Sequence, residues 1–139
     1  MTALPRVATS ACISISIEDF EVGAIDPGQF DHEAHVHLAW SYLQKYDLED
    51  AIAKFSEALR RLTRKLGIPS KYHETITWFF LILIAERKAL PGSNDWPTFK
   101  RQNPDLFTTN PSVIGNYYSG ERLGLSIARS QFVLPDRLP

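Results

Sequence analysis

One cysteine in 139 residues excludes an internal disulfide and any Cys-rich zinc or iron–sulfur site, and it suits a reducing compartment. Charge of either sign is not in excess. Fifteen Lys and Arg stand against sixteen Asp and Glu, a formal net charge of −1, which argues against a general nucleic-acid binder. A long hydrophobic run is missing too. The longest, Ile76 to Ala85, is interrupted by Thr77 and flanked by Glu74 and by Glu86, Arg87 and Lys88. It is about half the roughly 20 residues of a spanning helix, so no membrane association is expected. The N-terminus carries Arg6 but no continuous apolar segment, a poor match to a signal peptide, and the expected location is cytoplasmic. There is no Gly-rich phosphate loop, G-x-S-x-G elbow or EF-hand loop, and no internal repeat.

What is present reads as helices. One domain of residues 13–139, preceded by a flexible leader over 1–12, is the expected organisation, and a chain of this size buries enough surface for a core without staples. The segment 13–22 has Ile13, Ile15 and Ile17 alternating as in a strand. Ser16 and Asp19 nevertheless form a weak capping box closed by Gly23, which favours a short helix. Asp26, Pro27 and Gln29 make a helix start, with Ile25 and Phe30 as a hydrophobic staple and Asp31 as a second cap. That helix runs to about Tyr46. Asp47 caps an amphipathic helix to Leu66, ended by Gly67 and Pro69.

Ser70 is the expected cap of a third helix, about 71–90, whose residues 78–84 leave no polar face. It is read as the central element, buried on all sides. Short helices are expected near 97–102, 111–118 and 126–131, and an extended tail packed by Phe132 and Leu134. The fold class is thus all-α, a compact bundle of five or six helices.

Function rests on the histidines. Three of the four lie in Asp31–His37 and the fourth is His73. At about 100° per residue His32 falls in the apolar stripe, His35 about 60° away, and His37 about 140° away towards solvent. If the helices start side by side, His32, His35 and His73 converge. Three imidazoles with an open fourth position suit a catalytic metal site. The same set, or two His with Glu74, suits a single divalent iron, copper or zinc ion. The H-E-x-H spacing differs from the H-E-x-x-H of zinc proteases. The plain alternative is a metal-free network of hydrogen-bonded core histidines.

Glu33 and Glu74 are candidate carboxylate partners or general bases. Either would also be favourable as a charge in a first helical turn, the better reading for Glu33. Tyr72, Trp40 and Trp78 are candidates for an aromatic pocket or plain core. Arg122 and Arg129 would clamp a carboxylate or phosphate, or simply face solvent. Cys12 lies in the leader and is a poor nucleophile.

The pattern Phe30, His32, His35, Ala39, Trp40, followed by Lys71–Thr75, Asn103–Leu106 and Phe132–Asp136, resembles a family of small uncharacterised bacterial proteins. The resemblance covers the chain from about Asp19 onwards. It implies that His32, His35 and His73 are the marked histidines and leaves out His37, but it implies no particular reaction. The leading expectation is a metal-dependent enzyme acting on a small molecule, with Glu74 and Tyr72 catalytic and Trp40, Trp78 and Arg122 binding substrate. The alternatives are a metal-free enzyme using histidine acid–base chemistry, and a helical homodimeric interaction module with structural histidines.

Overall fold

The caps written into the sequence set most helix starts. In the computed structural model, which describes residues 15–92 and 95–137, the Ser16 hydroxyl accepts the Asp19 amide at 3.0 Å and opens α1, Ile17–Val22. Gly23 closes it with φ 74°, in the left-handed region a glycine adopts without strain. Asp31 caps α2, His32–Lys45. Asp47 caps α3, Leu48–Lys65. Asp95 caps α5, Trp96–Gln102. The leader and Cys12 lie outside the described residues.

The helix start expected at Pro27 is a separate 3-10 turn, Pro27–Gln29, whose cap Asp26 accepts the Gly28 amide at 3.0 Å. Helix α2 therefore begins at the second cap, where Asp31 accepts the Ala34 amide at 2.9 Å. This puts His32 at the first helical position and His35 one turn on.

Helix α4, Glu74–Lys88, is the hub: it packs against α2, α3 and the late helix α7, Ser126–Ser130. Its start differs from expectation. Pro69–Lys71 forms a 3-10 turn, which removes Ser70 from the capping position. The chain then extends through Tyr72 and His73, and the His73 imidazole becomes the cap. Nor is α4 buried on all sides. Phe79, Leu81, Leu83 and Ile84 are buried, but Ile82 is 38% exposed.

Beyond α4 the chain is short pieces. The helix expected over 111–118 is only a 3-10 turn, Val113–Asn116, because Gly115 and Asn116 disfavour α-helix. A four-residue helix that the periodicity does not announce, α6, Gly120–Leu123, starts at Ser119. The tail is extended and anchored by Thr75, whose hydroxyl donates to the Ala128 carbonyl at 2.7 Å and accepts the Val133 amide at 3.2 Å. Val133 is buried and Phe132 stacks on Trp78 at 5.4 Å. Leu134, expected to pack, is 70% exposed: its neighbours take the inward positions.

The architecture is all-α, with seven α-helices and no strand among the described residues. No described helix is long and apolar enough to cross a membrane.

Candidate functional site

A cavity of ≈ 350 Å³ opens where the starts of α2 and α4 meet α3. Val36 and Ala39 of α2, Phe55 and Leu59 of α3, and Phe80 and Leu81 of α4 form much of its apolar wall. His32, His35 and His73 all line it, so the convergence expected from the helical wheel is present. The reason is local: α2 and α4 pack side by side, and each carries its histidines at its N-terminal end.

The three rings are held differently. His73 is 7% exposed and uses both nitrogens. Nδ1 accepts the Ile76 amide at 3.2 Å, so Nδ1 is unprotonated. Nε2 faces the Leu123 carbonyl at 2.7 Å, and since a carbonyl only accepts, Nε2 carries the hydrogen. His73 is thus a neutral imidazole bracing α4 against α6.

His32 uses one nitrogen. Its Nε2–H donates to the Leu106 carbonyl at 2.7 Å, and its ring stands edge-on to Phe80 with centroids 5.3 Å apart. In the neutral ring Nδ1 is then an acceptor without a partner. His35 uses the other nitrogen: Nδ1–H donates to the Asp31 carbonyl at 3.0 Å, leaving Nε2 bare. Its ring stacks on Phe30 at 3.8 Å. Burial lowers the His35 pKa from its ordinary 6.5; the Asp31 carbonyl opposes this and neighbouring His32 adds to it. The balance favours neutral imidazole near neutral pH.

This wiring bears on the metal expectation. Among the described residues no three of His, Cys, Asp or Glu are grouped to hold a metal ion. For His73 to ligate, it would have to release either the Ile76 amide or the Leu123 carbonyl.

The other candidates lie elsewhere. Glu74 pairs with Arg60 at 3.1 Å and accepts from the Tyr72 hydroxyl, forming a cluster outside the cavity lining. Burial, then the bond to Glu74, push the Tyr72 pKa up to about 12. Trp40 is buried in an aromatic cluster with Trp96 and Phe99. Trp78 packs on the tail through Phe132. Arg122 donates to the Leu134 carbonyl at 2.7 Å and Arg129 to the Ser70 carbonyl. None of these six lines the cavity. Glu33 pairs with Lys100 at 2.8 Å.

His37, expected to face solvent, is half-buried because α5 brings Trp96 over it, with centroids 4.3 Å apart and an interplanar angle of 27°.

Three polar lining residues were not singled out from the sequence: Asp31, Lys71 and Thr77. Thr77 lies four residues after His73, one helical turn on. Its hydroxyl donates to the His73 carbonyl at 2.8 Å. Asp31 and Lys71 are exposed, at the rim. No family model, curated protein or solved structure matches this chain.

Proposed function

We propose that this cavity is an acid–base site acting on a small molecule, with His32 and His35 as proton acceptors and no metal required. One observation carries the reading: in one cavity, each of these imidazoles ties its single N–H to a backbone carbonyl and keeps a bare nitrogen. A carbonyl behind the ring fixes the tautomer and orients it, which a general base requires. The lowered pKa of His35 keeps that ring in its accepting form at neutral pH. The apolar wall limits water, which strengthens any charge–dipole interaction with an occupant. His73 positions the start of α4 and takes no proton in this reading.

A general proton-abstraction probe tests it. Nitrobenzisoxazole loses its ring C–H proton to a base. The freed electron pair completes a nitrile, the N–O bond breaks, and the oxygen leaves as a coloured phenolate. A positioned imidazole is expected to exceed free imidazole at equal concentration by roughly a hundredfold. The rate should persist in excess chelator and fall in His35→Gln. A rate no greater than that of free imidazole overturns the acid–base reading. A rate abolished by chelator and restored by zinc, iron or copper would instead favour the metal-dependent reading.

A further inference from the structure

The side-chain atoms that His32, His35, His73 and Thr77 leave open in the cavity are of one kind. His32 Nδ1 and His35 Nε2 accept only, because the N–H of each ring is committed to the carbonyl of Leu106 or Asp31. His73 offers nothing further, with both nitrogens bonded. The Thr77 hydroxyl has donated its hydrogen to the His73 carbonyl, so its oxygen too can only accept. The one cationic lining residue, Lys71, is exposed, as is Asp31. Inside stand acceptors among apolar and aromatic side chains.

Resting on the reading of His32 and His35 as the working pair, we propose that the cavity selects a neutral molecule with a flat apolar body and one hydrogen-bond-donating group, a phenolic hydroxyl or a ring N–H. A donor matches the bare imidazole nitrogens directly. A carboxylate or phosphate does not. It would lie against the two imidazole lone pairs, and the one cationic side chain it could meet, Lys71, is exposed. The flat body follows from the walls: Phe30 and Phe80 stand beside His35 and His32, and Phe55 lines the same cavity.

Four probes of nearly one size separate the possibilities: para-cresol, its methyl ether, toluene and para-toluate. Binding is read on the full chain from histidine ring shifts in proton–nitrogen correlation spectra. The expected order puts para-cresol about tenfold tighter than the ether and toluene, the size of one retained hydrogen bond, with para-toluate weakest. In His35→Leu the gap between cresol and ether should narrow.

Tightest binding by para-toluate, or equal binding of cresol and ether to the unaltered chain, overturns the donor preference. If nitrobenzisoxazole is still turned over in either case, the acid–base reading stands and only the ligand class falls. If no probe moves the histidine signals and no elimination occurs, both fall together.

Discussion

His73 and the pair His32–His35 line the same cavity but belong to different parts of the molecule's economy. His73 closes a circuit, taking an amide from its own helix and giving a hydrogen to Leu123 fifty residues on. His32 and His35 are each held at one corner only. A histidine saturated by the backbone is a structural brace. A histidine oriented by one carbonyl and bare at its other nitrogen is prepared for an occupant. Proximity to a cavity does not separate the two; the count of committed nitrogens does.

The largest loss of stability is expected at the brace. His73→Ala removes the cap of α4 and strands the Leu123 carbonyl. A lost cap costs about 1 kcal/mol and a stranded part-buried acceptor about 1 more, so chemical denaturation should show a loss of about 2 kcal/mol. His73→Asn, which keeps an acceptor at the cap, should recover part of it. A His73→Ala protein as stable as the parent would show that the brace is illusory.

At the pair, the largest effect should fall on chemistry rather than stability. His35→Gln is expected to lower nitrobenzisoxazole turnover by about a hundredfold while moving stability by less than about 1 kcal/mol, since the ring is only half-buried and its one bond is to an exposed turn. Equal losses of stability at His35 and His73 would erase the distinction between them. Metal analysis sharpens it from another side. Untagged protein is expected to keep its turnover after dialysis against chelator. Near-stoichiometric zinc, iron or copper, lost in both His32→Ala and His73→Ala, would make His73 a ligand and undo its assignment as a brace.

Much of this arrangement was legible in the sequence. Helix α3 follows from Asp47 and an unbroken apolar stripe, and the shared edge of His32 and His35 follows from their three-residue spacing. The wiring was not. The partners that decide each ring's role are the carbonyls of Asp31, Leu106 and Leu123, and a backbone carbonyl carries no residue identity to read. Ser70 drew attention as a cap because its side chain is a strong capper, yet the Pro69–Lys71 turn shifted the helix start to His73. Trp40, Trp78 and Arg122 were chosen by side-chain chemistry, and tertiary packing used them elsewhere: Trp40 in the core, the other two tied to the C-terminal tail. His37 was assigned from its own helix alone, whereas its environment comes from Trp96 on α5.

The smallest expected effect is on acid stability. Burial holds the pKa of His35, and likewise of His37, below the ordinary 6.5, so over the interval beneath 6.5 the unfolded chain binds protons that the folded chain refuses. Stability therefore falls as pH drops from 6.5 and levels off once both states are protonated. His35→Gln should flatten the part of this slope that belongs to His35, and His37→Gln the rest, with each variant close to the parent above neutrality. Proton-abstraction activity should follow the same group. Its acid limb is expected to lie below 6.5 in the parent and to change in the residual rate of His35→Gln, which His32 alone would carry. An acid limb unchanged in that variant would make His32 the sole base, leaving His35 as a packed neighbour of Phe30.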